Sequence, residues 1–415
     1  MKNNEKSIYI DFCHNGEFIP LGILFVDNQK GRDIYSFQYA KEYLASKYKN
    51  LFLDVNLMPY SERQYLPIDS KFFSFISDAM PDRWGRMLLD RKEIINSNKN
   101  NEKPRKLLEA DYLLGVSDYT RMGALRFKLD ENGPYLGDDE KSVPPFEKLR
   151  DLEYASYEYE KDELSLKDDW IKLLLAPGSS LGGARPKANV EDIDKSLWIA
   201  KFPSKHDIYD MGAWEMISND LASLCGIEVA EHRLLKLSDR GSIFLSKRFD
   251  RNNGNRIAFI SAMTALGKSD NSTDGTSYLD IVSFIKAYSN KANDDLKELY
   301  RRIAFNIAIS NSDDHLRNHG FILKDGYWNL SPAYDLNPIV YGNHLSLLID
   351  SSSDEMSFDI LLSISKHFNM SNEEGLSIIN NIKNVVKNNY EKLALKYNIS
   401  NSSISYMRNA FKKAE

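Results

Sequence analysis

Cysteine is scarce in this sequence, and its scarcity excludes several classes of protein. The 415-residue chain has only Cys13 and Cys225, which lie far apart and form no CxxC pair. A disulfide framework or a cysteine-rich zinc site is therefore excluded. We expect two buried thiols in a reducing compartment rather than a disulfide.

Long apolar runs are also missing. No stretch approaches the roughly eighteen continuous apolar residues that a membrane span needs. The first twelve residues, MKNNEKSIYIDF, contain no apolar core of the kind found in secretory signals. These absences predict a cytoplasmic protein with no membrane partner.

The sequence lacks a strong excess of charge of either sign. Its net charge of −6, with 27% charged and 42% hydrophobic residues, is typical of a soluble globular protein. The acidic balance argues against broad affinity of this chain alone for nucleic acid, although it allows a local basic patch. The pattern GxxxxGK[ST] is also absent, which disfavours a Walker-type NTPase.

The predicted secondary structure changes along the chain. Residues 7 to 35 alternate as strands do and predict a hairpin around His14-Asn15-Gly16. Strands are also predicted around Asn132-Gly133, in SLWIAKFPS and in EVAEHRLLKLSDRGSIFLSKRFDR, and Asp82 is a candidate helix cap. From about residue 256 to the end, apolar residues recur with helical spacing. The chain is therefore predicted to be sheet-bearing first and helical second.

The densest polar cluster is NSDDHLRNHGFIL, residues 311 to 323, between stretches that look buried. Asp313 and Asn318 have the Asp-x-x-x-x-Asn spacing of a kinase catalytic loop, and Asp335 follows another strand-like run. Such a set could deprotonate a hydroxyl and hold Mg²⁺ through oxygen ligands. The sequence after Asp335 is Leu-Asn rather than Phe-Gly, which departs from eukaryotic protein kinases.

Less specific interpretations of this cluster remain open. An Asp/Asn-rich loop could simply cap the helix that ends near Ser310. His315 could bind zinc, but no HxxxH or CxxC spacing supports that, and a loop-ordering histidine is the simpler interpretation.

A glycine-rich stretch, GSSLGGARPK, occupies residues 178 to 187 and could aim successive N–H groups at an anion. Many such stretches are only hairpin turns. Lys201 follows in the strand-like SLWIAKF, where a lysine is costly unless it is paired or faces phosphate. Glu215 is a possible partner, and a lysine stem that reaches water is the alternative. The order of loop, strand lysine, helix glutamate and catalytic cluster predicts a kinase.

The chain resembles the HipA family of bacterial serine/threonine kinases, the toxins of type II toxin–antitoxin pairs. The matching motifs run almost from end to end: SDAMPDRWGR (77–86), YLLGVSDYTRMGALRF (112–127), SSLGGARPK (179–187), WIAKFP (198–203), SKRFDR (246–251), NSDDHLRN (311–318) and SPAYDLNP (331–338).

The resemblance implies a role for each matching position. Asp313 would be the catalytic base, and Asn318 and Asp335 would bind Mg²⁺. The ATP-binding residues would be Ser180, Leu181, Gly182, Gly183, Ala184, Lys201, Ser246, Lys247, Arg248, Phe249, His315, Asn318 and Asp335, with the backbone of Ser246 to Arg248 at the adenine edge. Ser180 would be autophosphorylated, which ejects the loop and inactivates the kinase.

The sequence departs from the family pattern in three places. Ser179 offers a second hydroxyl, so either serine could be modified. Arg185-Pro186 is a variant interior of the loop. Asp314 lies between the base and His315, and we assign it no catalytic role; it would cap a helix or be solvated.

The resemblance also implies partners: a small HipB-like helix-turn-helix antitoxin, operator DNA reached mainly through that antitoxin, and a protein substrate. In the best-known members of the family the substrate is an aminoacyl-tRNA synthetase. Two other functions stay open. A small-molecule phosphotransferase would carry HxDxxxxN, but His315 follows Asp313 here. A non-catalytic co-repressor would need a defect that the sequence does not show.

The predicted fold is α+β: a two-lobed, protein-kinase-like fold with an added N-terminal subdomain and a mostly helical C-terminal lobe. The segments are an N-terminal subdomain (1–135), a nucleotide-binding part (136–255) and a helical lobe (256–415). ATP and Mg²⁺ are expected in the cleft between the lobes.

Overall fold

The computed structural model describes residues 5–29, 32–67, 72–136, 143–161, 174, 185–269 and 273–415. The chain forms two compact units. The first comprises Met1–Lys205 and Arg248–Ile260, and the second comprises His206–Lys247 and Ser261–Glu415. The three segments predicted from the sequence, with boundaries at 135 and 255, stay a prediction.

A five-stranded antiparallel sheet forms the N-terminal part of the first unit. Its strands lie in the order Gln64–Tyr65, Arg32–Tyr39, Glu17–Gln29, Glu5–His14 and Leu125–Lys128. The predicted hairpin is confirmed, because Asn15 and Gly16 form a two-residue turn with φ values of 49° and 82°, and His14 lies opposite Glu17. Both turn residues are left-handed, which matches the twist of the paired strands.

The strand pair predicted around Asn132-Gly133 is wrong. Leu125–Lys128 is a strand, but it pairs with residues 9–12 of the first strand of the sheet. Residues 129–136 form a turn rather than a strand. One hydrogen bond leads back to the preceding strand, from the N–H of Leu136 to the carbonyl of Phe127. A longer-range pairing has therefore replaced the local hairpin.

The remaining elements of the first unit surround these strands. Its helices are Lys41–Ala45, Ser74–Ser77, Arg83–Lys99, Glu109–Gly115 and Leu149–Lys161. Lys187–Glu191 pairs antiparallel with Leu197–Lys201. Arg251–Asn252 pairs with Asn255–Arg256, and Phe259–Ser261 is a further short strand.

Asp82 joins two motifs that are far apart in the sequence. As predicted, it caps the helix Arg83–Lys99, because its Oδ1 accepts a hydrogen bond of 2.7 Å from the N–H of Gly85. Its other oxygen lies 3.0 Å from Nζ of Lys187, and both side chains are buried. Trp84 adds a 3.0 Å hydrogen bond from its indole N–H to the carbonyl of Lys187. The sequence PDRWGR thus anchors the end of the glycine-rich motif.

A buried arginine cluster holds the last four residues of the SKRFDR motif, 248–251, in the first unit. We use this name for Arg121, Arg248, Arg251 and Arg256 together with Asp118 and Asp250. Asp250 contacts both Arg248 and Arg251 at 2.6 Å, and Asp118 contacts Arg256 at 3.0 Å. Burial disfavours ionisation of Asp250, but the charges of the two arginines outweigh it and lower its pKa.

The cluster also uses backbone acceptors. Arg248 donates to the carbonyl of Thr120 at 2.6 Å and to Asn189 at 2.8 Å. Arg121 donates to the carbonyls of Ala79, Leu113 and Val116. Two of these carbonyls lie at the end of the helix Glu109–Gly115, where intrahelical donors are lacking. The arginines therefore satisfy backbone groups as well as carboxylates.

The second unit is mainly helical, as predicted for the C-terminal part of the chain. Its helices are Met211–Leu224, Ala262–Ala265, Tyr278–Tyr288, Ala292–Ala308, Phe358–Ser363, Asn372–Lys396 and Asn401–Phe411. Two antiparallel hairpins accompany them: His232–Ser238 with Gly241–Lys247, which was predicted, and Gly320–Lys324 with Tyr327–Leu330.

Two smaller expectations can be compared with the structure. Both cysteines are free; Cys225 is buried and Cys13 is half-buried. Burial raises the pKa of Cys13 to about 11 and that of Cys225 to about 12. In the described part of the chain, no helix is long and apolar enough to cross a membrane.

Candidate active site

The polar loop begins where the helix Ala292–Ala308 ends. Ser310 takes the left-handed φ of 52°, and the N–H of Asn311 then donates to the carbonyl of Asn306 at 2.8 Å. The strand Gly320–Lys324 leaves the loop at its other end. Ile309, Leu316 and Phe321 are fully buried. We call residues 311–319 the catalytic loop, after the role predicted for it from the sequence; apolar anchors before, within and after it hold its polar side chains in place.

The negative charge of Asp335 acts on Asp313. Asp313 is exposed, whereas Asp335 is half-buried and has the left-handed φ of 57°. Partial desolvation raises the pKa of Asp313; the charge of His315 opposes this, and the negative charge of Asp335 raises the pKa further. Two like charges held near each other suit a site that binds a cation.

Asn318 completes this set. Its side-chain N–H donates to the carbonyl of Asp313 at 2.9 Å, which leaves the side-chain oxygen as the atom available to a ligand. Tyr334, next to Asp335, donates its hydroxyl to the carbonyl of Arg317 at 2.7 Å. The segment that carries Asp335 is thus tied to the catalytic loop.

These residues fit a magnesium ion. Mg²⁺ prefers oxygen ligands and commonly takes one or two from protein, with phosphates and waters supplying the others. The carboxylate of Asp335 and the amide oxygen of Asn318 are donors of that kind. Among the described residues, no group of three or more His, Cys, Asp or Glu side chains could hold a metal, so the amide oxygen and non-protein ligands would be needed.

Asp314 corrects one expectation. It is neither solvated nor a helix cap, because it is 2% exposed and lies under the loop. Its Oδ2 accepts hydrogen bonds from the hydroxyl of Tyr278 and from Nε2 of His319, the latter at 3.0 Å. Burial disfavours the charged form, but His319 and Tyr278 outweigh that penalty and lower the pKa of Asp314. A buried carboxylate needs such partners.

His315 follows Asp313 and Asp314 in the sequence, precedes Asn318 and is half-buried. Its backbone N–H donates to the carbonyl of Asp313 at 3.0 Å, and its carbonyl accepts from the N–H of Asn318 at 2.8 Å. Its Nδ1 is buried without a hydrogen-bond partner among the residues that the structure describes. Both contacts use the backbone of residue 315, so the loop-ordering role of the histidine and its contact with nucleotide stay predictions.

Lys201 belongs to the first unit, as the last residue of the strand Leu197–Lys201, and is half-buried. Its partner across the strand pair is Lys187. Glu215 is 3% exposed in the helix Met211–Leu224 of the second unit. The predicted ion pair between Lys201 and Glu215, and the contact of Lys201 with phosphate, stay predictions.

The other predicted ATP-binding residues fall into two groups. Ser179, Ser180, Leu181, Gly182, Gly183 and Ala184 lie outside the described residues. Ser246 and Lys247 end the strand Gly241–Lys247, and Arg248 and Phe249 follow it. The N–H groups of Lys247 and Arg248 already donate to the carbonyls of Glu231 and Leu197. An adenine at this edge would have to use other backbone groups, and the contact stays a prediction.

Comparison with known proteins identifies the family. The model of the HipA-like C-terminal domain matches residues 179–390, just over half of the 415-residue chain. The chain belongs to the HipA-like family. The match contains the catalytic loop, Lys201 and Asp335.

Relatives of this HipA-like chain are distant in sequence. It is 26% identical over 197 residues to Toxin YjjJ of Escherichia coli K12, an alignment that covers 45% of this chain and 44% of the toxin. The aligned part therefore spans less than half of that relative's length.

A solved structure shares the fold. This is the HipA, HipB and operator DNA complex of the Shewanella oneidensis MR-1 toxin–antitoxin system, at a TM-score of 0.70 and 16% identity, covering 98% of this chain and 96% of the other. The predicted α+β, kinase-like class of fold is thus confirmed through the HipA fold. A second structure, the proinflammatory kinase CtkA of Helicobacter pylori, gives a TM-score of 0.37 at 14% identity, covering 55% of this chain and 94% of that one, and carries no argument here.

Sequence inspection of this HipA-like chain missed two features of the site. One is the burial of Asp314, and the other is the contribution of Tyr278 and His319. The only local signal was the doubled aspartate: two adjacent carboxylates in a loop held between apolar anchors cannot both face solvent easily. The partner Tyr278 lies 36 residues before Asp314 and could not be predicted from spacing.

Proposed function

We propose that this HipA-like protein is an ATP- and Mg²⁺-dependent serine/threonine protein kinase that acts as the toxin of a HipBA-like pair. The observation that supports this most is the grouping of Asp313, Asn318 and Asp335 in one unit, within the segment that matches the family. The carboxylates of Asp313 and Asp335 influence each other, and the amide of Asn318 contacts the backbone of Asp313.

In this proposal each residue has one task. Asp313 accepts the proton of the substrate hydroxyl while the hydroxyl oxygen bonds to the γ-phosphorus and ADP leaves. Asn318 and Asp335 would hold Mg²⁺, which would neutralise charge on the phosphates. Lys201 and His315 bind the nucleotide, and the backbone of residues 246–248 meets the adenine.

The raised pKa of Asp313 suits this task. A base is most effective when its pKa approaches the working pH while it still stays mostly deprotonated. Desolvation and the charge of Asp335 move Asp313 in that direction. A cation bound at Asp335 would oppose the effect of that carboxylate on Asp313.

The proposal includes self-inactivation and partners. Ser180 or Ser179 would be the autophosphorylated residue, because a dianionic side chain in the loop cannot share the position of the γ-phosphate. The Shewanella structure contains HipB and operator DNA, which supports a HipB-like antitoxin for this chain and DNA contact mainly through it. The proposed substrate class is a translation protein such as an aminoacyl-tRNA synthetase.

Intact mass after incubation with Mg·ATP tests the proposal. We expect wild-type protein to gain one phosphate, mapped to Ser179 or Ser180. Asp313→Ala should gain none on the same timescale, since loss of the base costs several orders of magnitude in rate. Asp359→Ala, which removes an exposed carboxylate in the same unit, is the matched control and should behave as wild type.

The alternatives make different predictions in the same experiment. Wild-type turnover in Asp313→Ala would contradict the assignment of the base. A wild-type sample that starts unphosphorylated, binds ATP and gains no phosphate would favour a small-molecule phosphotransferase or a non-catalytic co-repressor.

A further inference from the structure

Asp313 and Asp314 are adjacent, yet their side chains have opposite surroundings. Asp313 is exposed to solvent, whereas Asp314 is 2% exposed. Nothing in the proposed chemistry uses Asp314. A carboxylate placed in the interior is costly unless donors compensate for the lost water, so its position needs a reason.

Asp314 has two donors: Tyr278, which lies outside the catalytic loop, and His319, which ends it. Tyr278 is the first residue of the helix Tyr278–Tyr288 and is fully buried; its hydroxyl donates to Oδ2 of Asp314. His319, at 1% exposure, lies at the end of the catalytic loop and contacts the same oxygen through Nε2. Its carbonyl also accepts from the N–H of Ala262 at 2.7 Å.

The beginning of the loop is held by a second set of buried polar contacts. Asn306 is 1% exposed in the helix Ala292–Ala308. It accepts from the side-chain amide of Asn311 at 3.1 Å and from its backbone N–H at 2.8 Å. Asn306 also acts on Tyr278, because burial raises the pKa of the phenol and Asn306 opposes that rise. We call Asn306, Asn311, Tyr278, Asp314 and His319 the loop network. It holds the beginning of the catalytic loop through Asn306 and its end through Tyr278 and His319.

This arrangement constrains the direction of Asp313. When Asp314 is drawn inward by two donors, the peptide between the two aspartates has little freedom to rotate. The carbonyl of Asp313 is held as well, because it accepts from Asn318 and from the N–H of His315. The Cα–Cβ bond of Asp313 is then held in one direction, toward solvent. A base must lie within hydrogen-bond reach of the proton it takes, so this direction affects the rate.

We infer that Asp314 is a positioning residue, held by Tyr278 and His319, which fixes the catalytic loop so that Asp313 is directed at the substrate hydroxyl. The inference rests on the proposed function, because it requires Asp313 to be the base. It assigns no contact with substrate or nucleotide to Asp314, Tyr278 or His319.

The chain offers a matched pair of tyrosines for the test. Tyr278→Phe removes only the hydroxyl that reaches Asp314. Tyr300→Phe removes a hydroxyl that is equally buried in the same unit but that contacts Ser365 at 3.1 Å and the carbonyl of Leu361 at 3.4 Å. A purely structural contribution of a buried phenol should appear in both variants.

The measurement is the autophosphorylation rate of full-length protein as a function of Mg·ATP concentration. For Tyr278→Phe we expect a maximal rate roughly ten- to a hundredfold lower, as for a displaced catalytic group. The ATP concentration that gives half of that rate should change by less than about twofold, because no nucleotide contact is removed. Tyr300→Phe should keep both values.

Hydrogen exchange gives a readout that does not depend on activity. The N–H groups of His315 and Asn318 are bonded inside the loop, and their exchange should be faster in Tyr278→Phe than in wild type. Tyr300→Phe should leave them unchanged.

The rate and exchange measurements distinguish failure of the positioning role from failure of the proposed kinase function. Equal rates and equal loop exchange in the two tyrosine variants overturn the positioning role while leaving the kinase intact. A Tyr278→Phe variant that changes only the ATP dependence also overturns it. A wild-type protein without phosphoryl transfer overturns the proposed function itself, and the positioning role with it.

Discussion

The arginine cluster of the first unit and the loop network of the second are both buried and polar, but they differ in the groups that carry charge. In the arginine cluster, Asp118 and Asp250 face guanidinium groups, which keep their proton at every pH the protein meets. In the loop network, Asp314 faces a phenol and an imidazole, and an imidazole can exist uncharged. Loss of a carboxylate from the arginine cluster leaves guanidinium charges without a counter-ion. Loss of the carboxylate from the loop network leaves hydrogen-bond donors that do not need one.

This difference should control how each network tolerates the loss of its carboxylate. Without Asp250, the fully buried Arg248 would keep a charge that no other carboxylate contacts in the described part of the chain. Without Asp314, the groups left behind are a phenol and an imidazole, and neither type of group has to carry a charge. The comparison therefore predicts unequal penalties for two buried aspartates.

The largest effect is expected for Asp250→Ala. Removing one partner of a buried ion pair commonly costs about 3–5 kcal/mol of unfolding free energy. Here two arginines lose their partner, and the N–H of Gly123 loses its acceptor at 2.8 Å. Urea unfolding measures the penalty. Lys148→Ala, which removes an exposed ion pair with Asp151, is the control and should leave the unfolding midpoint unchanged.

Asp314→Ala should have a smaller effect on stability. The penalty is that of leaving buried hydrogen-bond donors unsatisfied, about 1–3 kcal/mol, because the two partners of Asp314 are a phenol and an imidazole rather than guanidinium groups. Urea unfolding of Asp314→Ala, compared with that of Asp250→Ala, measures the difference in unfolding free energy. A loss as large as that of Asp250→Ala would remove the distinction between the two networks.

The smallest effect is expected for the pair Asp220–His232, separated by 3.1 Å in the second unit. Burial disfavours the charge of Asp220, but bonds from His232 and Tyr397 outweigh it and lower its pKa to about 2. Burial likewise disfavours the charged form of His232, but the bond to Asp220 outweighs it and raises its pKa. Both side chains keep some solvent contact, 12% for His232 and 20% for Asp220, and we expect a contribution of about 1 kcal/mol, the upper end of the range for exposed pairs.

The direction of each pKa shift determines the pH range in which that group stabilises the fold. The contribution of Asp220 is present above its unfolded pKa of about 3.9 and is lost as the pH falls toward 2. The contribution of His232 is present below its unfolded pKa of about 6.5 and is lost as the pH rises through its higher folded value. The pair should therefore stabilise most between about pH 4 and 6.5. Subtracting the unfolding free energies of Asp220→Asn from those of wild type should reveal this plateau, and a flat difference would contradict it.

Sequence predicted the parts of this molecule that depend on local chemistry. The turn at Asn15-Gly16, the cap at Asp82 and the helix Tyr278–Tyr288 follow from residue types within a few positions. The grouping of Asp313, Asn318 and Asp335 could also be predicted, because their spacing is that of a catalytic loop followed by a strand hairpin.

Sequence did not predict the parts that depend on distant partners. Residues 125–128 pair with the first strand of the sheet instead of folding back on residues 129–136. Arg248 reaches the carbonyl of Thr120, 128 positions away. The inward direction of Asp314 depends on Tyr278. Each of these outcomes is decided by tertiary contacts that compete with a plausible local alternative.

The double contact of Asp82 has a consequence for synthesis of the chain on the ribosome. The helix Arg83–Lys99 and its cap emerge early, but Lys187 emerges 105 residues later. Until then the carboxylate of Asp82 lacks Lys187, the buried ion-pair partner it has in the folded protein, and the indole of Trp84 lacks its carbonyl acceptor. We expect this helix to dock late, so that nascent chains arrested before residue 187 should expose Trp84 to solvent, whereas chains arrested well beyond it should not.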